Sequence, residues 1–63
     1  MPIATIQMME GRTDEQKEKM IAEVTDAISR SLDAPTKNVR VLIQELPKKH
    51  FGIGGVTAEK LDR

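Results

Sequence analysis

Apolar positions along this chain change their period twice, and each change marks a new element. Over Pro2–Met9, "PIATIQMM", apolar and β-branched residues alternate, with Ile3 and Thr5 on one face and Ala4, Ile6 and Met8 on the other. That period of two predicts a strand. "EGR" (10–12) interrupts it. From Thr13 the period lengthens: Met20, Ile21, Val24, Ala27, Ile28 and Leu32 recur at helical spacing, while Glu15, Lys19, Glu23, Asp26 and Arg30 fall largely elsewhere. Thr13 reads as the N-cap and Gln16 as its capping-box partner, and Asp14 and Glu15 complement the helix dipole. Pro35 is expected to stop the helix. Over residues 39–46, Val39, Val41 and Ile43 alternate with Arg40, Leu42 and Gln44, which predicts a second strand. "FGIGGV" (51–56) reads as a glycine-rich turn or small hairpin, and "TAEKLDR" (57–63) as a polar tail.

Strand, long helix, strand is the βαβ unit, with parallel strands and a right-handed crossover. The expected fold is therefore a single α/β (α+β) domain over residues 1–63: one β-α-β unit plus a C-terminal glycine-rich hairpin. Two strands and one helix leave a sheet face and an edge bare, yet the second strand carries apolar residues on both faces. The sheet is expected to be completed by neighbouring chains. Length leads to the same place. A chain of 63 residues hides only about 60% of its unfolded surface, and such cores usually need a staple. Without cysteine there is no disulfide and no thiolate zinc site, and the one histidine lacks carboxylates at a metal-binding spacing. Self-association is the staple that remains.

Lysine and arginine total 10, aspartate and glutamate 10, and the one aromatic residue is Phe51. A neutral chain without stacking platforms argues against nucleic acid. No apolar run is long enough to span a bilayer, and the N-terminus lacks a basic region followed by an apolar core. A cytoplasmic protein with no membrane partner is the expectation.

Candidate chemistry centres on Pro2. Proline is tolerated as the first residue of a strand, where its missing N–H costs no ladder bond. If Met1 is removed, however, Pro2 presents a secondary amine, a base that no side chain supplies. Arg12 stands where the first strand hands over to the helix, as a solvated loop cation or an anion ligand. Arg40 sits between two valines and must find a partner or water. Phe51 is a core plug or a pocket wall, and Met9 and Leu46 close the two strands as packing or interface residues. His50, beside Lys48 and Lys49, reads as surface. Gly52, Gly54 and Gly55 neither follow a parallel strand nor open a helix, so they form no phosphate loop.

Taken together, the opening "MPIA", "EGR" before "TDEQK", "AISRSLDAP", "VRV" and "HFGIGG" closely resemble the 4-oxalocrotonate tautomerase family, in register along essentially the whole chain. The resemblance implies that the mature protein begins at Pro2, which takes the catalytic-base position. It places Arg12 and Arg40 among the catalytic and substrate-binding positions, and Phe51, Met9 and Leu46 around the substrate. It implies a homohexamer, a trimer of dimers with sites completed by neighbouring chains. The implied reaction is the cofactor-free isomerisation of a dicarboxylate enol, 2-hydroxymuconate, to 2-oxo-3-hexenedioate in the catabolism of aromatic compounds, with no metal.

Two features depart from that pattern. Pro47, in "LPKK", is expected to stiffen the mouth of the site, and "APTKN" (34–38) varies as a loop would. Two other readings stay open beside the tautomerase. A relative acting on another enol, a haloacrylate or a semialdehyde keeps the fold. A chain that retains Met1 would be an inactive oligomeric module, because its Pro2 nitrogen is then a tertiary amide.

Overall fold

A computed structural model describes residues 1–63. Strand β1 runs over Ile3–Met9, helix α1 over Asp14–Leu32, strand β2 over Arg40–Leu46, and a short hairpin pairs β3 (Gly52–Ile53) with β4 (Val56–Thr57). Single 3-10 turns at Thr36–Asn38 and Lys48–His50 lead into and out of β2. Both long strands start one residue later than their apolar pattern, because Pro2 and Val39 serve as the extended residues that precede them.

The junction between β1 and α1 has two local causes. Gly11 has φ 122, a conformation that side chains disfavour, so the turn out of the strand requires glycine. Thr13 then caps the helix: the Gln16 N–H donates to Thr13 Oγ1 at 3.1 Å, and the Thr13 N–H donates to Gln16 Oε1 at 3.0 Å. The expected capping box is present in full. The other end corrects the sequence reading. The helix has already stopped at Leu32, where Asp33 turns left-handed (φ 53) and the Ala34 N–H returns to the Ser29 carbonyl at 3.1 Å. Pro35 opens the following 3-10 turn instead.

β1 and β2 are parallel, in a register that runs from Ile3 opposite Arg40 to Met9 opposite Leu46. On one face, Ala4, Ile6 and Met8 meet Val41 and Ile43, and all are partly covered, as are Met20, Val24 and Ile28 of α1. The opposite face is bare. Ile3 is 66% exposed and Leu42 51%, and beyond them along the ladder Gln7 Nε2 donates to Gln44 Oε1 at 3.0 Å. Only Val39 and Ala58 are buried in the isolated chain. Its radius of gyration, 14.7 Å, exceeds the roughly 11 Å of a compact domain this long. A single chain does not close a core around its own sheet, as its length and two-faced second strand imply.

The last residues are more ordered than a polar tail. Ala58 is fully buried, and its N–H donates to the Phe51 carbonyl at 2.7 Å. One helical turn follows, with Leu61 N–H bonded to Thr57 O at 3.1 Å. Asp62, left-handed at φ 58, then lets the Arg63 N–H reach the Ala58 carbonyl at 3.0 Å. The periodic pattern missed this turn because its one anchor is a single alanine.

The two ends of α1 respond differently to mutation. At a fixed chain concentration, Thr13→Ala should lower the unfolding free energy by about 1 kcal/mol. Asp33→Gly should hold or raise it, since glycine adopts the left-handed cap freely. Denaturant midpoints check both, and a Thr13→Ala midpoint equal to that of the parent would show that the box contributes nothing.

Candidate active site

The parallel register sorts the candidate residues into two groups. At the start of the ladder, the Arg40 N–H donates to the Pro2 carbonyl at 2.9 Å, so Pro2 is tied down through its oxygen while its nitrogen has no ladder role. The Arg40 guanidinium is exposed and folds back, Nη1 donating to the Lys37 carbonyl at 2.7 Å and more weakly to that of Val39 at 3.4 Å. At the far end, Met9 lies directly opposite Leu46, and the Glu10 N–H extends the pairing to the Leu46 carbonyl at 3.1 Å. Gly11 and Arg12 follow on one side. On the other, Pro47 (φ −61) leads the 3-10 turn that delivers Phe51.

Six residue steps separate Ile3 from Met9 in this ladder, a span of about 20 Å. The chain therefore joins Pro2 to Arg40, and Met9 to Leu46 and the Arg12 loop, but it does not bring these two groups together. No small molecule touches both in one chain.

Arg12 stands between two depressions. One, of about 240 Å³, is lined by Met8, Gln16, Lys17 and Met20 as well as Arg12. The other, of about 410 Å³, also has Met9, Glu10, Lys48 and Arg63 on its walls. Phe51 is half-buried and lines neither; its N–H donates to the Lys48 carbonyl at 3.4 Å. Lys48, in the "LPKK" stretch, and Arg63, at the end of the polar tail, thus share a cavity with Arg12. Nothing in the apolar periodicity signals that return of the chain.

The ion pairs of the chain all belong to Lys17, whose Nζ lies 2.9 Å from Glu45 and 3.2 Å from Asp14. The hydrogen bond that Lys17 Nζ donates to Glu45, reinforced by one to Asp14, raises the Lys17 pKa above its ordinary value. Lys17 is thus held on β2 and its charge is answered locally. Arg12 and Arg40 have no such carboxylate partner and remain free to bind anions.

Known proteins match this chain along its length. The family model described as tautomerase enzyme matches residues 2–61. A 2-hydroxymuconate tautomerase of Pseudomonas putida is 64% identical over 63 residues, covering 100% of each chain. Among solved structures, one of the 4-oxalocrotonate tautomerase isozymes of Methylibium petroleiphilum superposes with a TM-score of 0.90 at 50% identity, covering 98% of this chain and 100% of that one. A chain of the heterohexamer 4-oxalocrotonate tautomerase of Chloroflexus aurantiacus gives a TM-score of 0.89 at 36% identity, covering 97% and 98%. The resemblance carried by "MPIA", "EGR" and "HFGIGG" thus extends to the whole sequence and the whole fold. This chain belongs to the tautomerase family and is an isomerase.

Proposed function

We propose that this tautomerase converts 2-hydroxymuconate to 2-oxo-3-hexenedioate, with the Pro2 nitrogen as general base once Met1 is removed. The observation that carries the reading is the tie at the start of the ladder, where the Arg40 N–H holds the Pro2 carbonyl. It anchors Pro2 at the start of the sheet through its carbonyl and leaves its nitrogen without a ladder bond. In the proposed step the amine accepts the proton of the substrate's hydroxyl. The O–H electron pair forms the ketone, the diene shifts, and the carbon beside the far carboxylate takes the proton back from the amine. Atoms and electrons balance within one substrate.

A base that gives and takes a proton works best with a pKa near the working pH. Apolar walls and neighbouring cations both disfavour the charged amine and lower its pKa. In this reading Met9, Leu46 and Phe51 supply the apolar walls, and Arg12 and Arg40 the positive field. Arg40 grips the near carboxylate and the adjoining oxygen. Arg12 grips the far carboxylate and draws electron density toward the carbon to be protonated. Since Pro2 and Arg12 stand at opposite ends of one ladder, the complete site needs a second copy's Met9–Arg12 end. A homohexamer, arranged as a trimer of dimers, supplies it and covers the bare face around Ile3 and Leu42. The setting that suits such a substrate is the cytoplasmic catabolism of aromatic compounds.

With Met1 attached, the Pro2 nitrogen is an amide and has no basicity. Removing Met1, verified by intact mass, should raise kcat/KM on 2-hydroxymuconate by about 10²–10⁴-fold, the ordinary worth of a general base. Pro2→Ala in the processed chain keeps a primary amine and should lose less than that. Activity should rise with pH as the amine deprotonates, and should reach its plateau below the pKa of a free prolyl amine. Equal turnover with and without Met1 would sink the terminal-amine mechanism.

The arginines should separate by substrate. Arg12→Ala is expected to weaken use of the dicarboxylate, raising KM and lowering kcat, and to affect a monoacid enol such as phenylenolpyruvate less. Arg40→Ala should damage both substrates, because it holds the part they share. Identical losses in all four measurements would refute this division.

Sedimentation of the processed chain should show six copies and no folded monomer at micromolar concentration. A stable, active monomer would contradict a site completed between chains.

A further inference from the structure

The cavity of about 410 Å³ beside Arg12 has a composition that the proposed chemistry leaves unexplained. Its walls carry three cationic side chains, Arg12, Lys48 and Arg63, against one carboxylate side chain, Glu10. None of these cations forms an ion pair, since both ion pairs of the chain are those of Lys17. Met8 and Met9 provide an apolar wall between them. An open, cation-rimmed cleft with an apolar wall suits the carboxylate end of a small hydrocarbon acid.

Lys48 and Arg63 are brought there by built features of the backbone. The Lys48 carbonyl accepts from the Phe51 N–H at 3.4 Å and from the Glu59 N–H at 3.3 Å, which ties the 3-10 turn to the last segment. Ala58, fully buried, anchors that segment. The left-handed Asp62 and the bond from the Arg63 N–H to the Ala58 carbonyl turn the final residue back toward the Glu10–Arg12 loop. Both cations are thus positioned by main-chain contacts, and their side chains are free for a ligand.

We propose that Lys48 and Arg63 join Arg12 in forming the subsite for the substrate's second carboxylate, and so select dianionic over monoanionic enols. The inference rests on the dicarboxylate reading above and deepens it. One exposed guanidinium, solvated and screened by salt, discriminates weakly. Three cations converging on one cleft focus the field and favour the second negative charge.

Lys48→Gln, Arg63→Gln and the double variant of the processed, assembled enzyme test this. Both substitutions keep every backbone bond described above. The ratio of kcat/KM for 2-hydroxymuconate to that for phenylenolpyruvate should fall about tenfold in each single variant, as expected for one charge-assisted contact, and further in the double. The change should lie mainly in KM. Affinities for two unreactive probes, adipate and hexanoate, give a readout independent of turnover, and the preference for adipate should shrink in parallel. An unchanged ratio and an unchanged adipate preference in the double variant would overturn the proposal. If Arg12→Ala still lowers the ratio in that case, the dicarboxylate reading survives and only the role of Lys48 and Arg63 fails. If Arg12→Ala leaves it unchanged too, the reading of that whole end of the chain fails. Should the variants not fold, the unaltered enzyme decides. Rising salt should then depress kcat/KM and adipate binding more steeply than the monoanion values, and equal slopes would overturn the proposal.

Discussion

The parallel pairing of β1 with β2 is the constraint on which the rest of this molecule depends. A parallel ladder sets both strand starts at one end and both strand ends at the other, so Pro2 and Arg40 share one end while Met9, Leu46 and the Arg12 loop share the opposite one. An antiparallel pair joined by a tight turn would have placed Arg12 and the start of the second strand together. The helical crossover that a parallel pair requires is also what supplies the covering layer for one sheet face. It supplies nothing for the other. Separation of the candidate residues and exposure of Ile3 and Leu42 are therefore two results of a single topological choice. In the proposed assembly a neighbouring copy answers both.

Local chemistry made most of this fold legible. The alternation in "PIATIQMM" and "VRVLIQEL", the Thr13–Gln16 box and the glycine-rich hairpin each report a nearest-neighbour rule, and each element appears within a residue of its pattern. Two features escaped. In the sequence Pro35 points to the helix end, because its effect on the backbone is strong and easily read. The actual stop is a left-handed Asp33, a conformation that aspartate adopts only sometimes. The return of the last turn rests on Ala58, a residue too small to stand out in any hydrophobic pattern.

The candidate site divides along the same line. Pro2, Arg40 and Phe51 draw attention by their local context: an imino acid at a strand start, a cation amid valines, a lone aromatic. Lys48 and Arg63 are ordinary surface cations by type, and they acquire a shared position only through the backbone bonds that bring two distant segments to one cleft. A residue that is odd in its local context can be found by reading. A residue that is odd only through its neighbours in space requires the fold.

A chain this short has few ways to set up acid–base chemistry, and its composition narrows them further. It has no cysteine and one histidine. Within a single chain no ionisable side chain is buried, so one chain by itself does not shift a carboxylate or lysine far by desolvation. In the proposed mechanism a terminal prolyl amine needs a smaller shift than lysine, and cations with an apolar wall supply it. Pro2 also precedes the first ladder residue, so no strand hydrogen bond depends on its nitrogen. Its carbonyl remains available and is the atom that Arg40 holds. Placing the proposed base on the backbone thus lets one residue begin the strand and present the nitrogen, in a protein with almost no interior to spare.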